Sequence, residues 1–100
     1  MQFIVTGYDG SDEGALDRRM NAREDHLAMA KKMYDSGRWL YAAAILNDEK
    51  KMAGSVIVCE FDSKKALQKE WLDKEPYVLG KVWEKVNVTF AQVASFCDKK

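Results

Sequence analysis

The chain reads as an α+β domain of ferredoxin-like type, β-α-β-β-α-β, with one four-stranded antiparallel sheet and both helices on a single face. Three observations carry this expectation. β-Branched and aromatic segments open and close the chain, two adjacent strand-like segments sit in its middle, and a helical stretch separates each outer strand from that pair. Right-handed crossovers then place the first and third strands at the centre of the sheet.

Residues 2–8 hold the β-branched and aromatic types of a strand, which Asp9-Gly10 breaks. Ser11 or Asp12 is expected to cap a helix running from Ala15 to about Ser36, ended by Gly37. Leu16, Met20, Leu27, Ala30 and Tyr34 recur at steps of three and four, with Arg23 filling the gap, and define the expected core stripe. Residues 38–47 run apolar without alternation, and the polar turn Asn47-Asp48-Glu49-Lys50 joins them to a hairpin partner over 52–61. Ser63 is the expected N-cap of a second helix reaching about Asp73, which Glu75-Pro76-Tyr77 ends. Gly80 marks a turn. The last strand spans roughly Val82 to Val93, with Val82, Val86, Val88 and Phe90 alternating against Trp83, Lys85, Asn87 and Thr89. The reading is a single domain over 1–95, with a polar tail over 96–100.

Strand two is apolar on both faces: Trp39, Tyr41, Ala43 and Ile45 on one, Leu40, Ala42, Ala44 and Leu46 on the other. Helices bury one face of a sheet only, so the surplus predicts a homodimer formed sheet to sheet.

Composition limits the function. Sixteen basic residues balance sixteen acidic ones, so no cationic surplus points to nucleic acid. No apolar run nears the roughly 20 residues that span a bilayer, and residues 1–8 lack the features of a signal peptide. Membrane association is not expected, and the cytoplasm is the expected location. Cys59 and Cys97 lack metal or disulfide spacing; Cys59 reads as a buried structural thiol and Cys97 as an incidental free one. One histidine makes a metal site unexpected, and no glycine-rich phosphate loop suggests a cofactor. Trp39, Trp71 and Trp83 read as core or interface residues.

The chemistry-bearing candidates are few. His26 is the only histidine, and Arg19, Arg23 and His26 fall along one helical stripe. Two guanidiniums beside an imidazole suit an anion next to an acid–base group. Alternatively, the arginines pair with Asp12, Asp17 or Glu24 and the histidine is filler. Glu75, held just before Pro76, is placed to orient an imidazole, or is a solvated helix-end residue. Ser55 follows Gly54 without the G-x-S-x-G elbow of a hydrolase nucleophile.

These motifs together resemble the YciI-like (YCII-related) family from Met1 to about Val93. The resemblance rests on the opening strand, Arg19-x-x-x-Arg23-x-x-His26, Gly54-Ser55, Trp71, Glu75-Pro76-Tyr77-Val78, Gly80 and the final strand. It implies a ferredoxin-like fold dimerising through its sheets into a barrel-like core, and a site built on a histidine and an acidic residue. These map to His26 and to the position before Pro76, where the family commonly has aspartate and this chain has Glu75. One branch resembles a lyase acting on chlorinated hydroxylated aromatics, and related domains look like accessory or regulatory modules.

Two functions follow as expectations. The first is a cofactor-free lyase or isomerase acting on a small anionic or phenolic molecule. In it His26 is the acid–base group, Glu75 orients it, Arg23 assisted by Arg19 holds negative charge, and Tyr77 or Ser55 donates hydrogen bonds. The second is a non-catalytic dimeric module that binds a metabolite with the same residues.

Overall fold

In the computed structural model, which describes residues 1–97, the strand order is β2-β3-β1-β4 and every pairing is antiparallel. Strand β1 (Gln2–Asp9) leads to helix α1 (Ala15–Asp35), then to the hairpin β2 (Trp39–Leu46) and β3 (Met52–Glu60). Helix α2 (Lys64–Glu70), a 3₁₀ turn (Leu72–Lys74) and the short helix α3 (Pro76–Leu79) precede β4 (Trp83–Ala91). This is the expected α+β ferredoxin-like topology, with β1 and β3 central. A 3₁₀ turn, Ser95–Cys97, straddles the expected start of the tail, whose last three residues, 98–100, lie outside the described residues.

Local chemistry explains the element ends. Ser63 caps α2 by accepting from the Ala66 amide at 3.0 Å, as expected. Gly37, at φ +82°, turns the chain out of α1 in the left-handed conformation that glycine adopts without strain. Asn47 Oδ1 accepts from the amides of Glu49 and Lys51 and closes the hairpin turn. Neither Ser11 nor Asp12 caps α1: its N-cap is Gly14, with no side-chain bond, and Asp12 is drawn into an ion pair with Arg18 at 2.7 Å. That pair holds the Asp12 carboxyl down at about 2. Glu75-Pro76 starts a helix as well as ending one, because proline's fixed φ suits the first helical position and Glu75 caps it.

The helix-side face of the sheet is organised in rows of directly opposed residues: Trp39–Cys59–Phe3–Phe90, Ala42–Ile57–Val5–Val88 and Ala44–Ser55–Gly7–Val86. Phe3, Val5, Ile57 and Cys59 pack there against Leu67, Trp71, Leu72 and Tyr77 to form the core. Cys59 is the expected structural thiol, pushed up to about 12 by burial, and Cys97 is exposed and free.

Two β-bulges overturn the expected strand parities. Trp39 and Tyr41 pair with the consecutive residues Cys59 and Val58, leaving Leu40 extra, so Trp39 shares a face with Ala42 and Ala44. Likewise Tyr8 and Asp9 pair with Lys85 and Trp83, which puts Trp83 on the face of Val86 and Val88. The opposite face carries Tyr41–Val58–Ile4–Thr89 and Ala43–Val56–Thr6–Asn87, and no helix among the described residues covers it.

The expected stripe of α1 is turned by one residue for most of its members, although Ala30 packs against the core as expected. Leu16, Met20, Leu27 and Tyr34 are 41%, 51%, 46% and 56% exposed. The inward stripe is Ala15, Arg19, Ala22, His26, Met29 and Met33. It has the same helical period, but two of its members are polar and find partners in the interior.

Gly7 lets the Trp83 indole approach the sheet closely. A Cβ there would lie 2.3 Å from Cδ2 of Trp83, whose indole crosses β1 at this point. Gly7→Ala should therefore push the ring aside and destabilise the domain by about 1–3 kcal/mol. A lowered urea midpoint and altered tryptophan emission would show it; a wild-type midpoint would mean that the ring has room to move.

Candidate functional site

His26 and Glu75, 49 residues apart in the chain, meet in the interior: Nδ1 lies 2.7 Å from Oε2. Helix α1 presents the imidazole, and the start of α3 presents the carboxylate. Glu75 is fully buried, and its oxygens accept from the Trp71 indole at 2.9 Å and the Tyr77 amide at 2.9 Å. An ionised carboxylate only accepts, so with both fixed donors in place the imidazole contributes Nδ1–H to the contact. In the neutral ring this leaves Nε2 as the acceptor. No side chain among the described residues bonds Nε2. Tyr77 stacks on the imidazole at 3.8 Å and 7° between planes, and burial pushes its phenol above the ordinary value.

Arg19 occupies the inward stripe one helical turn before Arg23. Its Nη1 donates to both oxygens of Asp9 at 3.0 Å, its Nη2 donates to Ser55 Oγ at 3.1 Å, and its guanidinium lies 4.8 Å over the Tyr77 ring. Asp9 and Arg19 are each 4% exposed at the side chain. Burial raises the Asp9 carboxyl above its usual value, and the Arg19 charge works against that rise. Ser55 Oγ also accepts from the Trp83 indole at 3.3 Å. Arg19 therefore pairs with none of Asp12, Asp17 or Glu24, the partners that a surface role would have required.

Arg19, His26, Ser55 and Tyr77 border a cavity of about 230 Å³ between α1 and the β2–β3 hairpin. Arg19, Arg23 and His26 line its helix side, Tyr77 closes it, and Ala42, Ala44, Ser55 and Ile57 make its floor. A cavity of about 150 Å³ holds benzene, so this one has room for a substituted ring. The alanines of β2, read from sequence as part of a dimer surface, leave this space because their side chains are small. Arg23 is exposed, borders the cavity and has no ion-pair partner among the described residues.

Five of the six residues singled out from sequence thus line one cavity, and the sixth, Glu75, is buried behind His26. Asp9, Trp71 and Trp83 were missed as supports: Asp9 read as a strand breaker, and the tryptophans as core alone. Among the described residues no three histidine, cysteine, aspartate or glutamate side chains converge as a metal site would require. No helix among them is long and apolar enough to cross a membrane.

The chain belongs to the YCII-related domain family, whose model matches residues 1–91. It is 34% identical to Protein YciI of Escherichia coli O6:H1 over 94 residues, 88% of this chain and 93% of that relative, and equally to Protein YciI of Shigella flexneri. The fold is similar to that of 5-chloro-2-hydroxyhydroquinone dehydrochlorinase (TftG) of Burkholderia phenoliruptrix, solved in complex with 2,5-dihydroxybenzoquinone. The TM-score is 0.79 at 19% identity, over 96% of this chain and 98% of that one. A dimeric ferredoxin-like protein of unknown function from a Jannaschia species gives a TM-score of 0.51 at 17% identity, over 92% of this chain and 98% of that one.

Proposed function

We propose that this protein is a cofactor-free enzyme of the lyase or isomerase type, acting on a small anionic or phenolic molecule held in the cavity beside His26. The observation that carries this reading is the buried His26–Glu75 pair, which leaves Nε2 as the one basic nitrogen beside a cavity bordered by two arginines. Nε2 takes a proton from the substrate, and Glu75 stabilises the imidazolium that results. In an elimination, the electron pair left behind becomes the new double bond and the leaving group departs as an anion. Arg23 offsets the negative charge that develops, while Tyr77 and Ser55 supply hydrogen bonds. The fold likeness to a dehydrochlorinase supports elimination as the first reaction to assay.

The test is chloride release from 5-chloro-2-hydroxyhydroquinone. Wild type should turn over, and His26→Asn should lose about 10²–10⁴ in rate while remaining folded. Equal rates in the two proteins would contradict the assignment. Binding of 2,5-dihydroxybenzoquinone without turnover of any hydroxylated aromatic would favour the second reading, a binding module built on the same arginines.

A homodimer formed through the uncovered sheet face belongs to the same proposal, because Ile4, Tyr8 and Tyr41 lie exposed there, at 38%, 43% and 70%. Val58→Lys, in the middle of that face, should give a monomer by sedimentation. A monomeric wild type at micromolar concentration would contradict it.

A further inference from the structure

Two buried side-chain polar atoms lack a hydrogen-bond partner among the described residues: Nε of Arg19 and Nε1 of Trp39. Both residues line the cavity beside His26, although the atoms come from different elements, α1 and β2. A buried donor without an acceptor costs about 1–3 kcal/mol, so two at one cavity make a pattern that a ligand would resolve. Ser55 belongs with them. Its oxygen already accepts from Arg19 Nη2 and Trp83 Nε1, so its hydroxyl proton is left to donate.

The donors are separated along the floor. Trp39 stands in the row of Cys59, whereas Ser55, bonded to Arg19, lies four residues along β3, about 13 Å at roughly 3.3 Å per residue. Between them lie Ala42 and Ile57, both apolar. His26 stands between the two ends, with its ring 5.9 Å from that of Trp39 and stacked on the Tyr77 ring that Arg19 covers. An occupant matched to this surface has a flat apolar body, acceptor oxygens at opposed edges and one acidic proton for Nε2.

We propose that Trp39 is a ligand-binding residue: its indole N–H and the Arg19–Ser55 pair grip oxygens at opposite edges of a planar, oxygen-substituted ring. This rests on the reading of the cavity as a ligand site and names the chemical class it takes. Two single-ring probes separate the possibilities. The oxygens of 2,5-dihydroxybenzoquinone stand at opposed edges, whereas those of tropolone share one edge.

In ¹⁵N-labelled wild type, 2,5-dihydroxybenzoquinone should move the Trp39 indole proton downfield, and more than those of Trp71 and Trp83, which already have acceptors. Trp39→Phe should weaken binding of that probe about tenfold and weaken tropolone less. Binding by wild type with an unmoved Trp39 signal, or equal losses for both probes, overturns the role of Trp39 and leaves the cavity assignment standing. Failure of wild type to bind either probe at millimolar concentration overturns both. The wild-type spectrum decides the matter even where Trp39→Phe does not fold.

Discussion

Glu75→Ala is expected to destabilise the domain by about 3–5 kcal/mol, the cost of leaving several buried donors without the carboxylate that accepts from them. The loss is large because three donors converge on this carboxylate: the Trp71 indole, the Tyr77 amide and His26 Nδ1. Alanine leaves all three in a site that water does not reach, since Glu75 is 0% exposed. Small domains have only about 5–15 kcal/mol of stability, so the variant should sit near unfolding. Glu75→Gln keeps the volume and one acceptor oxygen, and should lose less. Urea denaturation of the three proteins checks this; a loss below about 1 kcal/mol for alanine would mean that the donors find other acceptors.

Arg19→Met should cost a similar amount, but only at neutral pH. Methionine keeps the apolar stem and removes the charge, leaving Asp9 buried without its ion-pair partner. Burial already raises Asp9, and the loss of Arg19 raises it further. Between the ordinary value of 3.8 and that raised value, the folded state holds a proton that the unfolded chain has released. Stability therefore falls as pH climbs through this window. The wild-type advantage over Arg19→Met should be small near the low end of the window and reach its full size, about 3–5 kcal/mol, above it. Adding Asp9→Asn to Arg19→Met should remove the pH dependence. A difference that is flat with pH would show that Arg19 acts through packing on Tyr77 instead of through its charge.

The order of elements was legible because its signals are local. Ser63, Gly37, the Asn47 turn and the two separated helical stretches each act over a few residues. Strand parity was not, because nothing in the residues around Leu40 or Glu84 marks an extra residue; a bulge exists only in relation to the partner strand. The inward face of α1 was missed for a related reason. Hydrophobicity puts Leu16 and Met20 inside, but Arg19 and His26 take those places because Asp9 and Glu75 satisfy them across the fold. His26 and Glu75 were legible as candidates through the family resemblance, but their meeting was not, since no spacing along the chain encodes it. Pro76 was read only in part where a signal did exist: an acidic residue before proline also marks a helix start.

The central claim is that Glu75 holds the His26 ring with Nδ1 protonated and Nε2 as the free base beside the cavity. The most direct measurement is the ¹⁵N spectrum of the single imidazole, recorded with the ring neutral, in wild type and in Glu75→Gln. The expected result is an Nδ1–H tautomer in wild type, shifted toward Nε2–H or a mixture once the carboxylate is gone. A wild-type ring carrying its proton on Nε2, or a tautomer unchanged by Glu75→Gln, would contradict the claim.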